Sequence, residues 1–125
     1  MFRVLPDLPA HVVGFEADGT VTRPDVEALF REVDRALGRG RVHLVGEVAG
    51  IGGLTLDALR ENARRSAGLL TKLGKLARFA VVTDDAWIQG IARAQGALLP
   101  TEVRVWPRAE RAAAIAWASE PPART

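Results

Sequence analysis

The stretch Val42-His43-Leu44-Val45-Gly46-Glu47-Val48, followed by Gly50-Ile51-Gly52-Gly53-Leu54-Thr55, decides the fold of this chain. Its first seven residues form a run rich in valine, which reads as a buried central strand. The glycines after it read as a loop. Thr55 reads as the N-cap of a long helix to about Gly74, with Leu56, Leu59, Ala63, Ala67 and Leu70 at helical spacing. A buried strand, a short loop and a helix make the first half of a crossover between parallel strands.

The same rhythm recurs on both sides. Downstream, Phe79-Ala80-Val81-Val82-Thr83 reads as another core strand. Asp84 and Asp85 follow as caps of a helix carrying Trp87, Ile88, Ile91 and Ala92, ended by Gly96. Val103–Trp106 is the last strand, stopped by Pro107, and Ala109 to about Ser119 is the last helix. Upstream, His11–Ala17 reads as a strand closed by an Asp18-Gly19 turn. Thr22-Arg23-Pro24-Asp25 opens a helix, with Asp25 at the reciprocal capping-box position and Pro24 in the first turn, where its missing N–H costs nothing. Val26, Leu29, Phe30, Val33 and Leu37 form its apolar stripe, and Gly38 and Gly40 end it. Phe2–Leu5 reads as an edge strand in a hairpin with the next one.

The order β-β-α-β-α-β-α-β-α predicts an α/β fold. It has a mixed, mostly parallel sheet of about five strands and four helices: a four-stranded parallel core plus one antiparallel edge strand. The length of 125 residues suits one domain, taken as residues 1–119, with 120–125 as a mobile tail.

Composition narrows the chemistry. There is no cysteine, which removes disulfides, thiolate zinc sites and cysteine nucleophiles, and the two histidines, His11 and His43, are too few for a multi-histidine metal site. No apolar run approaches the ~20 residues that a membrane-spanning helix needs, and the first residues lack the pattern of a signal peptide. These readings predict a cytoplasmic protein without stable membrane insertion. Of 17 cationic side chains only two, Lys72 and Lys75, are lysines, and the net charge is +2. So small an excess, with no tyrosine and few aromatics for stacking, argues against a nucleic-acid partner. Arg60, Arg64, Arg65, Lys72, Lys75 and Arg78 form a basic stretch that Asp57 and Glu61 dilute, and it reads as a solvated helix face.

Each motif that carries chemistry also has a plain structural reading. Gly50, Gly52 and Gly53 stand where backbone N–H groups approach a phosphate in nucleotide folds. However, Thr55 replaces the third glycine of the dinucleotide fingerprint and the P-loop lysine is missing. Asp84 and Asp85 stand at the carboxyl end of a parallel strand, where open α/β sheets bind ligands, and a carboxylate pair there suits Mg²⁺. Helix capping accounts for one of them. Glu47 is a carboxylate on a core strand with no serine or histidine relay beside it, which suits a hydrogen-bonded structural residue. Trp87 and Trp117 sit on helix faces expected to pack on the sheet.

Three groups of residues together resemble one family. They are Val13-Gly14-Phe15 with Gly19-Thr20-Val21-Thr22 and Asp25-Val26-Glu27; Phe79 to Trp87; and Glu102-Val103-Arg104-Val105-Trp106 with Ala116-Trp117. This set resembles the bacterial SpoIIAA-like family of STAS/SEC14-like domains over residues 2–119. The resemblance implies a (βα) superhelix like that of anti-sigma-factor antagonists. In regulatory members, a phosphorylatable serine or threonine opens the helix after the central strand. Here that region reads Glu47 to Thr55, the Asp-Ser-Ser/Thr-Gly signature is absent, and Thr55 is the one hydroxyl. The SEC14-like relation implies instead a cavity for an apolar small molecule.

The leading expectation is therefore a non-catalytic regulatory or protein-interaction domain without a cofactor. Its recognition surface is the edge formed by Gly50, Gly52, Gly53, Thr55, Asp84, Asp85 and Trp87. The alternatives are a small carrier of a lipophilic ligand and a Mg²⁺-dependent enzyme acting on a phosphorylated substrate through Asp84 and Asp85. A homodimer through an exposed helix or edge strand is compatible with all three.

Overall fold

A computed structural model describes residues 2–54, 76–98 and 101–121. Five strands form one sheet in the spatial order β1-β2-β3-β4-β5. They are β1 (Phe2–Val4), β2 (Val12–Val21), β3 (Val42–Leu54), β4 (Leu76–Val82) and β5 (Glu102–Trp106). β1 pairs antiparallel with β2, and β2, β3, β4 and β5 run parallel. The described helices are α1 (Arg23–Leu37), α2 (Ala86–Leu98) and α3 (Arg111–Ser119), the last entered through a 3-10 turn at Arg108–Glu110. This is the expected mixed sheet. The helix expected from Thr55 to Gly74, with most of the basic stretch, lies outside the described residues.

The alternation of side chains along β3 sorts the core into two sides. Val42 and Leu44 pack with Val13 of β2 and with Val33, Ala36 and Leu37 of α1. Val45, one residue on, packs on the other side with Val12, Ala80 and Val82 and with Ala114, Trp117 and Ala118 of α3. A third group, Ala17, Val21, Val26 and Phe30, closes the first turns of α1 over the end of β2. Thus α1 and α3 lie on opposite faces. Val42, Val45, Ala80 and Val82 are almost fully buried, as strands covered on both faces require.

β4 starts at Leu76 rather than Phe79, and three further boundaries, each at glycine, differ from the sequence reading. β2 does not stop at Ala17: it continues through Asp18-Gly19 to Val21, and Gly19 takes φ 83° inside the strand. β3 likewise continues through Gly50, Gly52 and Gly53, which therefore do not form a loop. The register explains both. Ala17 pairs Val48, Asp18 pairs Gly50, Gly19 pairs Ile51 and Thr20 pairs Gly53, so β3 carries one extra residue at Ala49 and another at Gly52. Glycine tolerates such bulges, and the two strands continue as a twisted ribbon beyond the end of β4, whose pairing with β3 stops at Glu47. The third difference is Gly96, which lies inside α2 rather than ending it.

Glycine is required for space at Gly46. A Cβ there would stand 2.6 Å from Cζ of Phe15, whose ring lies across β3 and stacks on Phe2 at 5.6 Å between centroids.

Candidate functional site

The carboxyl ends of β3, β4 and β5 bring together Glu47, Thr83, Asp84, Asp85, Arg108 and Arg111. The site begins with Glu47, which follows from strand alternation: it shares the α3-facing side with His43 and Val45. Its side chain is only 7% exposed and meets two arginines entering α3, with Arg111 Nε 2.8 Å from Oε2 and Arg108 Nε 3.6 Å from Oε1. The Arg111 contact is short but poorly aligned for a hydrogen bond, so it acts as a charge pair. A buried carboxylate needs such a partner to remain charged.

Thr83, fully buried, is the hinge of the neighbouring connection. Its N–H donates to the Trp106 carbonyl at 2.9 Å, its hydroxyl accepts the Asp85 N–H at 3.2 Å, and its carbonyl accepts from the Gln89 amide at 2.8 Å. Asp85 Oδ1 accepts the Ile88 N–H at 3.2 Å, which makes Asp85 the N-cap of α2, as expected. Asp84 is not a second cap. Its Oδ1 accepts the Arg108 N–H at 3.0 Å and ties the β4–α2 connection to the start of the 3-10 turn.

The structure thus brings Asp84 and Asp85 to the expected edge. It places Gly50, Gly52 and Gly53 in the β3 ribbon beside it and the backbone of Trp87 in the first turn of α2. Thr55 lies outside the described residues. Sequence reasoning missed Arg108 and Arg111. The available signal was Glu47 itself: a lone acid on a core strand calls for a cation, and two arginines spaced i, i+3 follow Pro107. The described residues contain no group of three or more acidic or histidine side chains placed to hold a metal ion. No described helix is long and apolar enough to cross a membrane.

A cleft of about 200 Å³ lies elsewhere, between the β1–β2 connection and the last turns of α1. Its walls include Leu5, Leu8 and Val13 but also Asp7, Glu32, Arg35 and Arg39. It is smaller than the ~300 Å³ at which small-molecule sites begin, and its charged rim does not suit a lipophilic ligand.

A SpoIIAA-like family model matches residues 12–119. Among solved structures, an uncharacterized protein from Shewanella loihica PV-4 with a SpoIIAA-like fold superposes with a TM-score of 0.68 at 19% identity. The match covers 94% of this chain and 93% of that one, and at this identity it speaks for the fold alone. No curated protein matches. The residues matched by the family model include the whole parallel core, α1, α3 and the edge described above, and this chain belongs to the SpoIIAA-like family.

Proposed function

We propose that this chain is a non-catalytic regulatory or protein-interaction domain of the STAS type, acting in the cytoplasm. Its partner surface is the carboxyl-end edge of the parallel strands. One observation carries this reading: the polar groups at that edge already hold the fold together. Glu47 pairs with Arg108 and Arg111, Asp84 anchors Arg108, Asp85 caps α2, and the Thr83 hydroxyl accepts the Asp85 N–H. General acid–base or nucleophilic work needs a group free to change its proton or partner. A surface of fixed charges and exposed backbone instead supplies shape and specificity.

The test removes charge without removing the anchors. Asparagine keeps the acceptor oxygen that Asp84 gives to Arg108 and that Asp85 gives to Ile88. An Asp84→Asn/Asp85→Asn double variant and the natural chain are used as paired baits in native lysate, with quantitative mass spectrometry. A partner held by the natural chain and weakened at least tenfold by the double variant supports the reading. Identical captured sets overturn it.

A further inference from the structure

At its C-terminal end, α3 is closed by side chains from the sheet. A helix leaves its last carbonyls without internal partners, and here there is no glycine cap to satisfy them. The buried His43 of β3 donates from Nδ1 to the Ala118 carbonyl at 2.7 Å. Arg78 of β4 donates from Nη1 to the Trp117 carbonyl at 2.9 Å and to Glu120 Oε1 at 3.0 Å. His11, from the segment before β2, donates from Nε2 to the Glu120 carbonyl at 2.9 Å. Because a carbonyl only accepts, these contacts fix both histidine tautomers. The two imidazoles meet edge to face, 5.2 Å between centroids. Glu120, expected in a mobile tail, is bonded by two residues, His11 and Arg78, from separate parts of the fold.

α3 has nine residues, too short to persist alone, and is held by the burial of Ala114, Trp117 and Ala118 and, at its C-terminal end, by this clasp. Beneath it lie Val12, Val45, Ala80 and Val82.

We propose that α3 is a proton-released cover: acidification charges His43 in the clasp and frees the C-terminal end of α3 from the sheet, uncovering the Val12, Val45, Ala80 and Val82 face. Four groups set the response. His43 lies on β3, His11 precedes β2, Arg78 lies on β4 and Glu120 follows α3. Burial of His43 is the largest influence and lowers its pKa. The Ala118 carbonyl opposes this, while His11 and Arg78 lower it further and Glu120 raises it. Glu120 is the one anion of the four and is already bonded to Arg78. Protonation breaks no hydrogen bond, since both rings donate in either state. Instead it places a second positive charge beside Arg78 on a ring that is only 1% exposed. With α3 lifted, His43 reaches water and titrates near its ordinary value of 6.5. Each pH unit below that value then favours the open form by up to about tenfold, until the closed-state pKa is reached.

The experiment is amide hydrogen exchange by NMR between pH 7.5 and 5.0, corrected for intrinsic rates, comparing α3 amides with those of Val45 and Val81. Between pH 6.5 and 5.5, α3 protection should fall about fivefold, and α3 should stay less protected than the strands throughout. In His43→Gln the side-chain amide still donates to Ala118 but does not titrate, and the loss should disappear. His11→Gln, which removes a neighbour that lowers the His43 pKa, should shrink it and serves if the first variant does not fold. Equal protection of helix and strands, no loss in α3 over this range, or a loss unchanged in the folded variants would each overturn the proposal.

Discussion

Two kinds of single residue carry the strain of this design: glycines that make room, and buried charges that need partners. At Gly46, the backing of Phe15 by Phe2 prevents easy retreat of the ring. Gly46→Ala should therefore destabilise the fold by about 1–3 kcal/mol in urea titration, as overpacking does. A neutral result would mean that the Phe15 ring rotates freely. The Glu47–Arg111 pair is asymmetric, its side chains being 7% and 42% exposed. In Arg111→Met the buried carboxylate keeps only the longer Arg108 contact, whereas in Glu47→Gln the arginines turn to water. The first variant should lose about 1–3 kcal/mol more than the second, and equal losses would show that Glu47 reaches solvent. His43 sets the sign of the pH dependence. Its folded-state pKa lies below the unfolded value, so the unfolded chain binds more protons as pH falls below about 6.5. Stability should be flat above that pH and decline below it, down to the folded-state pKa. Urea midpoints at pH 7.5 and 5.5 check this, with His43→Gln flattening the difference.

At the scale of elements, helix starts are set locally and strand ends are not. α1 begins at the expected residue because its signal is short-range. Asp25 Oδ2 accepts both the Thr22 N–H and the Thr22 hydroxyl at 2.9 Å, and Pro24 fixes the first turn. Asp25→Ala removes both bonds and the negative charge near the helix N-terminus. It should cost about 1 kcal/mol, read as a fall in the thermal midpoint. A midpoint unchanged by this substitution would assign the start of α1 to Pro24 and packing alone. The ends of β2 and β3 are decided by each other. Asp18-Gly19 and the Gly50–Gly53 run carry strong turn chemistry, yet each finds a partner in the other, and two bulges absorb the mismatch. A local rule sees the glycines but not the neighbouring strand that pairs with them.

At the scale of the molecule, one sheet joins two cores. β3 contributes Val42 and Leu44 to the α1 side and Val45 to the α3 side, so neither side can lose its packing without disturbing the other's strand. Trp117 concentrates the α3 side. It is 7% exposed, packs on Trp106 at 5.2 Å between centroids, and lies beneath the guanidinium groups of Arg78 and Arg104 at 4.7 and 5.0 Å from its ring centre. Trp117→Ala should cost about 3–5 kcal/mol in urea titration. A loss below about 1 kcal/mol would mean that α3 contributes little to the stability of the sheet at neutral pH.

The sequence by itself determined the class of the fold, the parallel core with its antiparallel edge strand, the starts of α1 and α2, and the placement of Asp84 and Asp85 at the carboxyl end of a parallel strand. These rest on periodicity, caps and the alternation of strand and helix, all of which act over a few residues. Only the tertiary structure decided that the glycine run is strand, that Arg108 and Arg111 answer Glu47, and that Glu120 is held by His11 and Arg78. Those facts depend on pairs far apart in the chain, such as Glu47 with Arg111 and His43 with Ala118. A buried charge or an open carbonyl states in the sequence that a partner is needed, but the folded sheet alone selects which residue arrives.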